Sequence, residues 1–362
     1  MAYLLDIRSL LLFRRNNYNI MKKSFKYIAL FFFIIIANSG CLKDSAITDV
    51  VTEENNGEKI IEYLESQGDF INSLQMPALD SAIDVHDHLD IYEVLDIRSS
   101  TQFAAGHIPR SKNIESANLM GAVKSISQNT IIIIVSQTGQ AASYYTGLLR
   151  FAGFNNVYAL RFGMVSWNPD FLGSWNSSTE PKEDFTNLAY ERPAFTPLPA
   201  VTFDNSVSGI KEKILSRIQL LMSLSFGDPA TSSLSTNLAG LNVIYNRLDS
   251  TFTNTFIVCF GFDGLYIWGP NGQLDIPGHP PRAVFYMQFN GYVSDLRSTS
   301  YLQTIPSSKD IVVYSKYGHS SAFVVAYLRM LGYNVKSLLF GAGWKEDLPQ
   351  AYLENYAYDK GN

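Results

Sequence analysis

The sequence predicts an α/β fold built from two successive units, each a parallel sheet flanked by helices. Three observations lead there. A strand–loop–helix pattern occurs twice: Ile131-Ile132-Ile133-Ile134-Val135 runs into Ser136-Gln137-Thr138-Gly139-Gln140-Ala141, and Ile311-Val312-Val313-Tyr314 runs into Ser315-Lys316-Tyr317-Gly318-His319-Ser320. Each helical stretch then closes on a Gly-aromatic-Asn turn, Gly153-Phe154-Asn155 and Gly332-Tyr333-Asn334, followed by a further apolar run and a Gly…Trp corner, Gly163…Trp167 and Gly341…Trp344. Finally, the run Ile131–Val135 shows no polar alternation, as a strand buried on both faces of a parallel sheet requires, and such runs alternate with helical segments. At 362 residues the chain exceeds one ordinary core and suits two domains.

Taken in order, the chain opens with 20 residues that precede a more natural start at Met21. Met21-Lys22-Lys23-Ser24-Phe25-Lys26 is basic, and Tyr27 to Ala37 is an apolar stretch of eleven residues. That is short of the ~20 a bilayer-spanning helix needs. Asn38-Ser39-Gly40-Cys41 ends the stretch with small residues. The pattern is that of a secretory signal peptide. The cysteine at its end makes it resemble a bacterial lipoprotein precursor, in which Cys41 becomes the lipidated first residue, although Asn38 stands where leucine is usual. The expected address is the cell envelope, with a lipid anchor through Cys41 on the periplasmic side or the cell surface.

Residues 41–76 read as a polar tether followed by a short amphipathic helix carrying Ile60, Ile61 and Leu64 on one side. The first unit is expected over 77–172. Within it Tyr92–Arg98 is a strand, Phe103–Pro109 a helix entering a turn, Ala141–Phe151 a helix and Val157–Leu160 a strand. Residues 173–199, with Pro181, Pro193, Pro197 and Pro199, read as a linker. The second unit is expected over 200–356. It opens with a helix whose apolar residues Ile210, Ile214, Leu215, Ile218, Leu221 and Met222 have helical spacing, continues into the strand Thr255–Phe260, and ends in the repeated pattern.

A net charge of −5 argues against nucleic acid as a partner. Only Cys41 and Cys259 are present, so a lipidated Cys41 leaves no intramolecular disulfide. No Cys/His cluster has metal-ligand spacing, and no cofactor is expected.

With Leu95-Asp96-Ile97-Arg98, Phe103…Gly106-His107-Ile108-Pro109, the Ser136–Ala141 loop and Gly153-Phe154-Asn155…Gly163…Trp167 in this order, the first unit resembles a rhodanese, the sulfurtransferase fold, and the repeat makes the chain resemble a tandem of two such domains. The second match is more divergent. It runs from Gly278-His279-Pro280 to Trp344, lacks an Asp-x-Arg after its first strand, and carries an apparent insertion at Gly272–Ile276. The resemblance implies that Asp96 and Arg98 form a structural ion pair near the loop. It also implies that His107 and His279, in turns led by Gly106 and Gly278, serve packing and hydrogen bonding.

It further implies a cysteine at the first loop position, whose thiolate carries a sulfane sulfur, and commonly an arginine at the last. Ser136 and Ser315 stand at the first positions and Ala141 and Ser320 at the last. A cysteine thiol, about 8.5 in reference pKa, is lowered at a helix N-terminus. A serine hydroxyl lies far above that range and needs a positioned base. Neither loop is therefore expected to carry a catalytic residue. Both keep backbone amides aimed into a bowl at a helix start, which favours an anion. Gln137, Thr138, Gly139, Gln140 and Ala141 in the first loop, and Lys316, Tyr317, Gly318, His319 and Ser320 in the second, are the anion-binding candidates, with Lys316 and His319 expected to supply positive charge. A Ser315–His319 hydrolase pair is disfavoured by four-residue spacing on a tight loop and by the absence of an acidic orienter in the loop. Cys259, inside an apolar strand, reads as a buried apolar residue.

Three functions stay open: an inactive binding or scaffold module with an unknown protein or small-anion partner, residual thiosulfate sulfurtransferase-like or hydrolytic activity, and a structural protein whose bowls are filled by side chains such as Tyr317.

Overall fold

Both apolar runs that end in the repeated loops form the centre of a parallel sheet. The computed structural model describes residues 56–68, 70–176, 186–204, 206–236, 254–267, 278–289, 291, 293–342, 348 and 350–361. The expected leader and lipidation residue, Met21 to Cys41, the tether behind it, the insertion Gly272–Ile276 and Trp344 lie outside the described residues.

The amphipathic stretch folds as α1 (Asn56–Ser66), with Ile60, Ile61 and Leu64 buried. There follow β1 (Leu79–Asp80), α2 (Ala82–Asp87), β2 (Glu93–Asp96), α3 (Ser100–Ala105), β3 (Lys112–Asn113), α4 (Leu119–Ser125), β4 (Ile132–Val135), α5 (Gln140–Phe151), β5 (Val157–Leu160), α6 (Met164–Trp167) and α7 (Gly173–Asn176). The strands lie in the order β1-β5-β4-β2-β3, all parallel. Every residue of β4 is buried, as its unbroken β-branched composition requires.

A second set comprises α8 (Ile210–Met222), β6 (Ser235–Thr236), β7 (Thr255–Gly261), α9 (Asp263–Ile267), β8 (Val284–Met287), β9 (Asp310–Tyr314), α10 (His319–Met330) and β10 (Val335–Leu338). Its sheet repeats the first order as β6-β10-β9-β7-β8, again parallel. The register repeats too. Asp96 pairs with Val135, the residue before Ser136, and Cys259 pairs with Tyr314, the residue before Ser315. Cys259 therefore holds the place of Asp96.

One hydrophobic core runs through both halves, and a second, around Val94, Ile133 and Trp167, lies in the first half alone. Helices α5 and α10 lie against each other, with Phe151 edge-on to Phe323 at 5.5 Å between ring centres. Gly147 makes this approach possible: a Cβ there would already touch Ala326 and Phe323 at 3.2–3.3 Å. Because both helices begin at the loops, their packing brings the two loops together.

Residues 186–199 are more than a spacer. Thr186 bridges His279, Arg192 Nε donates to the Phe285 carbonyl at 3.1 Å and pairs with Asp295, and Thr196 N donates to the Gln303 carbonyl. Proline and polar composition signals irregular backbone, which this segment has, but carries no information on whether that backbone packs. The C-terminal tail behaves alike on the first sheet, where Asp359 bridges His107 and the Trp167 indole N–H donates to the Ala357 carbonyl at 2.9 Å.

Candidate functional site

Each loop joins the central strand to its helix through a glycine in the left-handed region, Gly139 at φ 80° and Gly318 at φ 86°. At Gly139 a Cβ would strike the Leu160 carbonyl and the His319 ring, and at Gly318 it would strike the Gln140 side chain. Neither glycine offers a side chain to cap its helix. The first-turn amides need other acceptors, and the serines supply one. Ser136 Oγ accepts from Gly139 N at 3.1 Å and Ala142 N at 3.2 Å, and Ser315 Oγ accepts from Ser321 N at 3.1 Å. Both serines are buried.

The first loop holds an anion, and the anion belongs to the chain itself. Asp228 Oδ2 accepts from Ser136 Oγ at 2.7 Å, Ala141 N at 3.2 Å and Thr138 N at 3.3 Å, while Oδ1 accepts from the Thr138 hydroxyl. The side chains of α5 deliver it. Tyr144 Oη donates to the Leu221 carbonyl at 3.1 Å and Tyr145 Oη to the Leu224 carbonyl at 2.8 Å, fixing the segment that leads from α8 to Asp228. The expected anion site of the first loop is thus occupied from within the chain. The amides of Thr138 and Ala141 do face an anion, but the site is full. Gln137 and Gln140 point elsewhere: Gln137 bonds Ser174 Oγ at 3.0 Å and lies 3.4 Å from Arg98 Nη1, and Gln140 reaches the other half. Nothing around Asp228 in the sequence signals this role, because it acts 92 residues from Ser136.

In the second loop a cavity of about 420 Å3 opens over Ser315, Lys316, Tyr317, His319 and Ser320. Its further wall includes Phe260, Phe262 and Leu265, and it also admits Arg161 from the first half. Tyr317 lines the cavity without filling it and meets Phe162 edge-on at 5.2 Å. His319 corrects the sequence expectation. Burial, then the Arg161 charge, push its imidazole down to about 3, with a hydrogen bond to the Thr138 backbone opposing. Its Nε2 accepts from Phe162 N at 3.1 Å, so the ring is neutral and supplies no cation. Nor does it face Ser315, whose hydroxyl lies 3.3 Å from Ser321 Oγ. The cations at the cavity are Lys316 and Arg161, the second of which no loop motif indicated.

The remaining motif residues are structural. Asp96 and Arg98 are buried and joined by Nη2–Oδ2 at 2.6 Å and Nε at 3.0 Å to each carboxylate oxygen, with Arg98 Nη2 also donating to the Gly106 carbonyl at 2.7 Å. His107 stacks on Phe103 and meets its carbonyl through Nδ1 at 2.9 Å. His279 stacks on Tyr266 and lies between the carbonyls of Tyr266 and Leu188 at 2.6 and 2.9 Å. Behind Gly278 a Cβ would meet the Tyr266 carbonyl. Cys259 is fully buried, and burial pushes its thiol up to about 12. Among the described residues no group of three or more His, Cys, Asp or Glu could hold a metal ion, and no helix is long and apolar enough to cross a membrane.

Comparison with known proteins puts these features in context. The rhodanese-like domain matches residues 81–170. Thiosulfate sulfurtransferase GlpE of Pseudomonas fluorescens (strain SBW25) is 28% identical over 87 residues, which are 23% of this chain and 80% of that protein. Its namesake in Pseudoalteromonas translucida (strain TAC 125) is 31% identical over 74 residues, 20% of this chain and 70% of that one. Among solved structures, a thiosulfate sulfurtransferase from Pseudomonas aeruginosa aligns with 83% of this chain and 70% of its own at 13% identity and a TM-score of 0.26. A rhodanese-related protein from Thermoplasma volcanium aligns with 25% of this chain and 89% of its own at 22% identity and a TM-score of 0.23.

Proposed function

From the premise that the chain belongs to the rhodanese-like family, we propose that it is a tandem, catalytically inactive member that works as a binding module through the second loop. The observation that carries this reading is the state of the two serines. Ser136 Oγ already takes two loop amides and gives its proton to Asp228, and Ser315 Oγ is held by the Ser321 amide and hydroxyl. A serine nucleophile needs a base and an adjacent hollow for the developing oxyanion. At Ser136 that hollow is filled by the Asp228 carboxylate, and at Ser315 the nearby imidazole is turned away onto Phe162 N. Cys259 offers no substitute, since it is sealed in β7 with a raised thiol. The identical strand order and register of the two sheets support reading the second half as a divergent copy of the first.

A thiosulfate:cyanide assay on the purified protein tests this. The expected result is no thiocyanate above the buffer rate. Turnover that disappears in Ser315→Ala, or a persulfide on Cys259, overturns it.

We propose also that the module is held on the bacterial cell envelope by lipid on Cys41, a reading supported by the basic, apolar and small-residue order of Met21 to Cys41. Palmitate labelling should be lost in Cys41→Ala. Labelling that survives the change refutes the anchor.

A further inference from the structure

We infer that the cavity at the second loop takes a small organic carboxylate with an apolar body, an aryl- or alkyl-carboxylate, with its head on the Ser315–Ser320 loop and its body against Phe262 and Leu265. This rests on the reading of that loop as a binding site and names what it binds.

The chain itself shows which head group such a loop accepts. In the first loop a carboxylate oxygen takes the amides of the third and sixth positions, Thr138 and Ala141. The corresponding residues of the second loop are Tyr317 and Ser320, and both line the cavity. The carboxylate of the first loop comes from Asp228-Pro229, ahead of edge strand β6. The segment Met76-Pro77, ahead of edge strand β1, comes to the second loop's cavity instead. Met76 is apolar and buried, and only Pro77 reaches the cavity. One loop is filled by the chain's own carboxylate, whereas among the described residues lining the cavity of the other there is no Asp or Glu.

Charge agrees with this. Lys316 Nζ lies 5.0 Å from the Tyr317 ring centre, and the Arg161 guanidinium lies 5.7 Å from that of Tyr352. Arg161 Nε is buried with no hydrogen-bond partner. The walls set the rest of the ligand. Phe262, Leu265, Leu79 and Tyr352 present apolar surface around about 420 Å3, a volume within the ~300–1,000 Å3 of small-molecule sites. An ion as small and hydrated as thiosulfate would leave that surface uncovered, whereas an apolar body removes it from water, which favours binding.

Calorimetric titration of the full chain with 4-phenylbutyrate, 4-phenylbutyramide and thiosulfate tests the inference. The acid should bind at least tenfold more tightly than the amide and than thiosulfate. Lys316→Ala should weaken the acid about fivefold and leave the amide unchanged, while Phe262→Ser, at a half-exposed position that the fold does not need, should weaken both. An amide that binds as well as the acid, or no binding of the acid, overturns the inference. Thiosulfate bound as tightly as the acid and dependent on Lys316 overturns the ligand class but leaves the binding-module reading standing. Conversion of thiosulfate in the presence of cyanide overturns that reading instead.

Discussion

Gln140 and His319 hold the same position in their two loops and make the same bond across the molecule. Gln140 Oε1 accepts from Phe340 N at 2.7 Å, and His319 Nε2 accepts from Phe162 N at 3.1 Å. Each loop thus satisfies the backbone of the aromatic residue ahead of the other half's Gly163 or Gly341. Those glycines lie at φ 57° and 56°, with the carbonyl of Ser136 or Ser315 where a Cβ would be. The clasp fixes both loops against one another, which is why Arg161 of the first half reaches the cavity of the second.

The histidine makes this clasp acid-sensitive and the glutamine does not. His319 titrates near 3 when folded, against an ordinary value of about 6.5. A base depressed in this way stabilises the fold above its unfolded value, and the contribution is lost as pH falls from about 6.5 toward 3. For so buried a ring the loss amounts to roughly 3–5 kcal/mol. His319→Gln, which copies the other loop, should match the wild type at pH 7.5 and resist acid. His319→Ala should be about 1–3 kcal/mol less stable than His319→Gln at every pH, because it leaves Phe162 N without its acceptor. Thermal melts from pH 4 to 8 distinguish the three proteins.

Asp228 is expected to act as a plug. Removing its carboxylate in Asp228→Ala leaves the Thr138 and Ala141 amides and the Ser136 hydroxyl without their shared acceptor, a loss of about 2 kcal/mol. Sulfate should restore part of it, seen as a salt-specific rise in melting temperature that the wild type does not show to the same extent. The plug also governs any attempt to install sulfur transfer. Ser136→Cys with Ala141→Arg should remain inactive toward thiosulfate while Asp228 is present and gain turnover only when Asp228→Ala is added. Activity in the two-site variant would show that the carboxylate leaves readily.

Removing one member of the buried pair Asp96–Arg98 strands the other. Asp96→Ala leaves the Arg98 guanidinium with the Gly106 carbonyl and a long contact to Gln137, and should cost about 3–5 kcal/mol in chemical denaturation. The second sheet manages without such a pair because the place of Asp96 is taken by Cys259, an apolar group needing no counter-charge.

The parts of this architecture legible in the sequence are those set by local pattern. The all-β-branched run of β4 declares a buried strand, Gly139 and Gly318 mark tight entries to α5 and α10, and Ile60, Ile61 and Leu64 mark the buried face of α1. What escapes a linear reading is set by partners distant in the chain. Asp228 lies in an unremarkable Gly-Asp-Pro stretch and becomes the ligand of a loop 92 residues away. Arg161 joins a cavity belonging to the other half. His319, a cation by residue type, is neutral because α5 and α10 bury it against Phe162. Periodicity encodes which face is buried, but not which polar atom awaits it there.

A second titrating group opposes His319 over the same pH range. Asp80, at the end of β1, is raised to about 6. Burial is the main cause and the nearby Asp84 charge adds to it, against the Ser81 amide at 2.8 Å and the Arg161 charge, which lower it. A carboxylate raised in this way favours the fold while protonated, and the contribution, full below about 4, disappears as pH climbs through 6. The side chain is only partly buried, so solvent screening holds the effect to no more than about 1 kcal/mol. Between pH 4 and 6 the Asp80 contribution therefore falls as that of His319 rises, and the wild-type profile understates both. In a His319→Gln background the Asp80 slope should emerge as a decline in melting temperature from pH 4 to 7. Adding Asp80→Asn should flatten it, leaving the double variant more stable than His319→Gln at pH 7.5 and equal to it at pH 4. A profile that still declines in the double variant would assign the slope to a different group.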